Sequence, residues 1–419
     1  MSQFAGALLG LLIGRVMTFV AATASLLLVK SILSEGAASD FFVLLLLHGL
    51  LSTFVLAGLG TKLVPALAMH FAQKNRTEPP SIASPVFARA TRRALVAAAV
   101  FAIAAPWLTG VGSTSFPAIA LLLLPALLFT SSKLALGATR QLAGIEVAGR
   151  LASCALLVAL TASDLASTTS CLLAWTMPPV LAPWLARRSI DATVLRSFDR
   201  GVLHAFQWHR RTSSAECVSR YDIASLDRTT RGDLVRACYL LGTPLAVGIA
   251  AGGITAGASF ADFGFAHRFF TIASVVPATI STTLAGPLGL VDRRSVRTGQ
   301  VVAALLVTGV VTGLGLGIAC SLFDATGRAS TLAWIFASGM PALCIAAVAI
   351  PYLIAKEREA TVLRISVIGL VLTALATLTL QLAFGFVGAA WGIVIGEIAV
   401  AIAAGHAAHG SSRDERSAS

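Results

Sequence analysis

Charged residues are scarce in this chain. Asp, Glu, Lys and Arg together make up 12% of it, against 57% hydrophobic residues and a mean hydropathy of +0.85. That scarcity excludes an ordinary soluble domain, in which about a quarter of the residues are charged. Acids are scarcer still, 19 against 31 bases, which leaves a net charge of +12. A nucleic-acid binder would gather such an excess into a continuous basic stripe. Here the bases fall in short clusters between apolar runs, which is the topology signal of an integral membrane protein, and no nucleic-acid partner is expected.

Cysteine chemistry is missing as well. The six cysteines (Cys154, Cys171, Cys217, Cys238, Cys320, Cys344) contain no C-x-x-C pair and no metal-ligand spacing. Most lie inside apolar segments, where a thiol behaves as a small hydrophobe, so neither a metal nor a cofactor is expected. A cleavable leader is not expected either: Arg15 interrupts the first apolar run, no small-residue cleavage site closes it, and the segment reads as a retained helix. Long polar stretches are almost absent. The one exception runs from Arg187 to Arg236 and holds ten arginines and six acids.

What is present is a series of apolar runs near the 20 residues that a helix needs to cross a hydrocarbon core. Twelve candidates span approximately 7–30, 41–60, 94–112, 116–136, 147–163, 168–186, 237–256, 263–289, 299–322, 331–354, 362–384 and 387–405. The expected fold is therefore all-α: a polytopic membrane protein with about twelve transmembrane helices in two six-helix lobes. The lobes are 1–186 and 237–405, joined by a basic linker at 187–236 and followed by a tail at 406–419. With the N-terminus inside, the inner segments collect Lys62, Lys74, Arg76, Arg89, Arg92, Arg93, Arg140, Arg150, the linker arginines, Arg293, Arg294, Arg297, Lys356, Arg358, Arg364, Arg413 and Arg416. The outer loops keep only Lys30 and Arg328, beside Glu35, Asp40, Asp164, Asp262 and Asp324. This one-sided placement predicts an inner-membrane protein with both termini cytoplasmic. It also leaves the outer loops too short to hold an active site, so no enzymatic activity is expected.

Within the linker, Leu195, Phe198, Val202 and Phe206 recur at helical spacing, with Arg196, Asp199, Arg200 and His204 on other faces. Such an amphipathic helix either lies on the membrane surface with its arginines toward lipid phosphates or packs on the floor of the bundle. The loop Thr61 to Arg93, with Pro79, Pro80 and Pro85, reads as a flexible connector. Sliding the sequence by 222 positions lays Asp40 on Asp262, Phe41 on Phe263, Ser52 on Ser274, Thr61 on Thr283 and Pro65 on Pro287. This places the second helix of one half on the second helix of the other in the same sense. Parallel repeats of this type carry a substrate site at the repeat interface.

Charges inside apolar runs mark candidate sites, because each is costly in lipid and faces protein or water. Arg15 and Arg268 have no acid within one helical turn in sequence. They either face a cationic cavity suited to an anionic ligand such as a pyrophosphate, or pair with distant acids or snorkel outward. Lys133, near the inner end of the fourth run, is a third candidate substrate contact, with snorkelling as its alternative. Glu397 is a candidate proton- or ion-coupling carboxylate or the neutraliser of one arginine. His48 and His267 are further candidates for coupling, against hydrogen-bonded core histidines. Prolines at 106, 125, 178, 179, 183, 244, 277, 341 and 351 permit bends, and Gly309, Gly313, Gly315 and Gly317 permit close helix contact.

The segment Ser34 to Gln73, with Asp40 and Phe41 opening a helix and Gly58, Leu59 and Gly60 closing it, resembles the first hairpin of polysaccharide-biosynthesis flippases. These belong to the multidrug/oligosaccharidyl-lipid/polysaccharide exporter superfamily. Tyr352 to Arg358 and Phe384 to Trp391 (FGFVGAAW) are similar to that family's helix 10 exit and helix 11 to 12 turn. The resemblance implies two six-helix lobes that move a polyprenyl-pyrophosphate-linked oligosaccharide across the membrane by alternating access. It implies membrane lipids, a polysaccharide polymerase and export machinery as partners, and a cationic cavity that Arg15 and Arg268 would furnish. Helix 1 offers Arg15 and no carboxylate, a departure from cation-driven drug exporters. The rival reading is a secondary transporter of drugs or small solutes, of multidrug-exporter or major-facilitator type. The loop after helix 2 lacks the G-x-x-x-D-R-x-G-R pattern of major facilitators.

Overall fold

A computed structural model describes residues 2–59, 63–64, 67–68, 71, 83–110, 115–136, 138–186, 190, 192–206, 230–250, 257–274, 276–277, 298–324, 327–356 and 358–418. Among these, every element is helical. In chain order they are α1 (Ser2–Ile32), α2 (Glu35–Leu56), α3 (Ala83–Thr109), α4 (Ser115–Ala135), α5 (Thr139–Ala162), α6 (Thr168–Leu185) and α7 (Ala192–Phe206). Helix α8 covers 230–250, with a π-helical turn at Cys238–Gly242 followed by Thr243–Ala250. Then come α9 (Gly257–Ala273), α10 (Thr298–Phe323), α11 (Arg328–Ser338), α12 (Met340–Ala355) and α13 (Glu359–Ala418).

Each of the twelve apolar runs has a helix in its place. The later parts of the seventh and eighth runs lie outside the described residues, as do Thr283, Pro287 and most of the Thr61–Arg93 connector. Four differences matter. Helix α5 starts at Thr139, so Arg140 and Arg150, expected in a loop, are helical. Arg231 and Arg236, expected in the linker, belong to α8. The tenth run is broken into α11 and α12, bent by 40°, because Gly339 and then Pro341 at the start of α12 cannot continue the upstream hydrogen bonding. The last two runs join in α13 as arms 359–384 and 386–418, separated only by Gly385 at φ 60°, ψ −141°.

Among the described residues four helices are long and apolar enough to cross a membrane, and the bent pair makes a fifth. Long apolar stripes face outward, as lipid demands and water does not tolerate. Val307, Val311 and Leu314 on α10 and Val371, Leu375 and Leu382 on α13 are all exposed.

The chain divides into two compact units, Met1–Leu33 with Leu47–Leu234, and Ser34–Leu46 with Val235–Ser419. Helix α2 thus gives its first half to the second unit and its second half to the first.

In the first unit α1 packs on α5. An added Cβ at Gly14 would strike Ala143, and the Cys154 thiol donates to the Ala21 carbonyl at 3.1 Å beside Ser25. Helix α5 meets α6 where Gly149 lies against Pro178 and Pro179. Helix α7 packs on α3: Val194 and Ala205 are buried, Phe198 meets Phe87 edge-on at 5.1 Å, and Arg92 Nε donates to the Ala205 carbonyl at 3.4 Å. Of the two readings of this helix, the geometry is the packed one, with Arg196, Asp199 and Arg200 exposed. The side chain of His204 lies outside the described residues.

At the end of α2, Gly58 adopts φ +70° and donates its N–H to Asp233 Oδ2 at 2.8 Å. Arg93 Nη1 donates to the Ala57 carbonyl at 2.8 Å and its Nη2 to Thr230 Oγ1 at 3.3 Å. The start of α8 is thereby fastened to α2 and α3.

The second unit is closed by glycines. In the two arms of α13, Gly388, Gly392 and Gly396 lie on Leu380, Thr377 and Thr373, and Gly369 lies on Val400. Only residues without a Cβ allow helix backbones this close. Phe41 and Phe263, which the 222-residue offset matches between the two halves of the sequence, both fall in this second unit. Both are fully buried, and Phe42 packs against Gly264 and, at 6.3 Å, against Phe265.

Candidate functional site

Pro244 lies six residues into the apolar stretch that begins at Cys238, and its ring nitrogen carries no hydrogen. The Leu240 carbonyl four residues earlier therefore loses its normal helical donor, and α8 widens here into the π-turn Cys238–Gly242. The Thr243 N–H closes the wide turn on the Cys238 carbonyl. This turn has two consequences. The Leu240 carbonyl lies beside the His267 imidazole of α9, and the Tyr239 side chain is directed into the core at 1% exposure.

Tyr239 packs beside Gly369 on one arm of α13 and in one apolar cluster with Val400 on the other. Glu397 lies one helical turn before Val400 and is fully buried. Arg236, one turn before Tyr239 on α8, is half-buried. Its guanidinium acts electrostatically on Glu397, and both Arg236 and Glu397 act on the Tyr239 hydroxyl. Among the described residues neither carboxylate oxygen of Glu397 closes a hydrogen bond, while the Tyr239 hydroxyl lies within hydrogen-bond influence of Arg236. A buried carboxylate left with a cation nearby and no donor is expensive, and in a membrane such a group ordinarily carries function.

His267 is fully buried in an aromatic cage. Phe263 stacks on it at 6.2 Å, Phe336 meets it edge-on at 5.6 Å, and Phe270 closes a third side at 6.2 Å. The Leu240 carbonyl of the π-turn is the polar group beside the ring. Arg268 follows it on α9, half-buried, and acts electrostatically on the imidazole.

The first unit holds Lys133, His48 and Arg15. Lys133, expected to snorkel if it does not bind, is only 4% exposed: its Nζ donates to Gln141 Oε1 at 2.9 Å and lies 5.5 Å from the Phe129 ring. His48 is buried in α2. Arg15 stands in α1 next to Gly14, and its side chain lies outside the described residues. Arg15 and Arg268 belong to different units.

Three polar residues escaped the sequence reading. Tyr239 and Arg150 fall inside expected apolar runs and Arg236 lies just before one, but Arg236 and Arg150 read as inner-loop charges. Arg150 Nη1 donates to the Trp175 carbonyl at 3.2 Å while its guanidinium covers the Trp175 ring at 4.6 Å. The signal that would have found Arg236 is its i, i+3 spacing to Tyr239, ahead of a proline in an apolar run.

No protein-family model and no characterised protein sequence matches the chain. Solved structures do. The chain superposes on an outward-facing multidrug resistance MATE family transporter of the MOP superfamily with a TM-score of 0.69 at 13% identity, covering 99% of this chain and 97% of that one. It superposes on the Vibrio cholerae MATE transporter VcmN, in an aspartate-to-asparagine mutant, with a TM-score of 0.63 at 15% identity, covering 99% and 98%. An inward-facing MATE family transporter gives 0.55 at 13% identity over 96% and 97%. The chain therefore has the fold of the MATE transporters of the MOP superfamily, from end to end.

Proposed function

We propose that this chain is a membrane exporter of the MATE type that moves an organic solute by alternating access. The observation that carries the proposal is superposition over 99% of the chain on MATE transporters, one of them named for multidrug resistance. In this reading Arg15, Arg268 and Lys133 supply positive charge to the transport path. Glu397, His48 and His267 are the groups through which an ion gradient drives transport. The basic clusters of the inner loops set both termini on the cytoplasmic side of the inner membrane. The experiment is uptake of a fluorescent organic cation, ethidium, by cells that express the chain. Expression lowers steady-state ethidium fluorescence; unchanged fluorescence with the protein present in the membrane contradicts the proposal.

One observation favours a second reading, the lipid-linked oligosaccharide flippase. Helix α1 contains no Asp or Glu, and its polar intrusion is the cation Arg15. A path lined with cations suits a pyrophosphate better than a cationic drug. Removal of the gene distinguishes the two: inner-leaflet accumulation of a lipid-linked oligosaccharide selects the flippase, and dye sensitivity without such accumulation selects the exporter.

A further inference from the structure

We propose that Glu397, with Tyr239 and Arg236, forms a proton-binding site inside the second unit, with Arg236 as the counter-charge of the ionised state. The role in transport rests on the exporter reading; the binding of the proton does not. The argument is geometric. Glu397 is fully buried, makes no hydrogen bond among the described residues, and has the buried Tyr239 hydroxyl within electrostatic reach. Arg236 is half-buried, so the cluster runs from a partly accessible cation through a phenol to a buried carboxylate.

The surroundings leave few other groups to interfere. Of the elements packed on α13, the segment Thr243–Ala250 carries no titratable side chain and α11 carries only Arg328 at its first position. Helix α12 carries Cys344 and Tyr352, and α9 carries Asp262, His267 and Arg268. Helix α13 itself adds Glu359 and Arg364 on its first arm and His406, His409, Arg413, Asp414, Glu415 and Arg416 beyond Glu397, and the π-turn adds Cys238. Among the described residues, the charge that acts on Glu397 is Arg236.

The step is simple. One proton from water adds to a carboxylate oxygen of Glu397, which becomes a neutral acid, and the pair Arg236–Glu397 passes from zero net charge to +1. The acid can then donate to the Tyr239 oxygen, and the attraction between Glu397 and Arg236 is lost. The π-turn is what makes this possible, since it breaks the regular ladder between Arg236 and Pro244 and lets Tyr239 respond.

The test uses dicyclohexylcarbodiimide on the full-length protein in liposomes, because this apolar reagent attaches to protonated carboxyl groups in membranes. Mass spectrometry of the digested protein is expected to find the modification on Glu397, at several-fold higher occupancy in acidic than in alkaline buffer. An unmodified Glu397, or one modified equally at both pH values, overturns the proposal. Infrared difference spectra between the same buffers give a second readout. The protonated-carboxyl C=O band is lost in Glu397→Gln and kept in Glu146→Gln, which alters a carboxylate of α5 in the first unit; a band that survives in Glu397→Gln also overturns it. Both measurements need no substrate, so failure of the exporter reading and failure of the proton site are seen separately.

Discussion

Replacing Gly58 by alanine tests the latch that fastens the start of α8 to α2. At φ +70° an L-residue costs about 1–2 kcal/mol relative to glycine. The added Cβ would also lie 2.6 Å from Thr230 Oγ1, 2.8 Å from its nitrogen and 2.9 Å from its Cα. Two of those atoms are backbone and cannot swing away, so the overpacking adds about 1–3 kcal/mol. The sum is about 2–5 kcal/mol, before any weakening of the 2.8 Å bond from the Gly58 N–H to Asp233. For a unit of this size that lowers Tm by between about 4 and 20 °C. The assay is thermal unfolding of the full chain in detergent with a thiol-reactive dye that reports the buried Cys171, Cys320 and Cys344. Gly110 supplies the control: its φ is +67°, and a Cβ there meets nothing within 4 Å. Gly110→Ala should cost only the conformational part, about 1–2 kcal/mol. Equal losses at the two glycines would show that the Thr230 contact is not made and would refute the latch.

Three other perturbations follow from the same contacts. Gly396→Ala places a Cβ on the Thr373 hydroxyl and should lower Tm; adding Thr373→Ala removes that oxygen and should restore part of the loss, a coupling that a double-mutant cycle measures. Arg150→Lys keeps the charge but loses the planar stacking on Trp175, so it should cost about 0.5–2 kcal/mol and change the tryptophan emission. Asp233→Asn keeps an acceptor for the Gly58 N–H while removing its charge, and should cost about 1 kcal/mol in the same melting assay.

Much of the fold was legible because lipid enforces a simple rule: every spanning segment must be an apolar helix of similar length. The positions of the runs therefore followed from hydropathy alone, down to the hairpin that turns at Gly385. What was not legible depended on partners far away in sequence. Arg150 falls near the start of the run 147–163 and reads as an inner charge, whereas α5 begins about two turns before that run and carries Arg150 mid-helix on the Trp175 ring. Arg236 was hidden among nine other linker arginines for the same reason. The break at Gly339 could be read only as permission to bend, since glycine and proline do not state an angle.

The candidate site was half legible. Glu397, His267 and Arg268 stood out as charges or imidazoles in apolar runs, because their cost in a membrane is visible from sequence. Their company was not. That Tyr239 would join Glu397 depends on a π-turn created by Pro244, and that His267 would sit among Phe263, Phe270 and Phe336 depends on α9 meeting α11. Arg15 and Arg268 lie in different units, so a cationic path that uses both is a proposal tested by transport.

The most direct test of the account is transport by the purified chain in liposomes, with ethidium as the probe and an imposed pH gradient. The account predicts protein-dependent ethidium movement against its own gradient, at least tenfold slower in Glu397→Gln that remains folded by its melting curve. Ethidium movement indistinguishable from protein-free liposomes, alongside accelerated flipping of a polyprenyl-pyrophosphate oligosaccharide in the same vesicles, would contradict it.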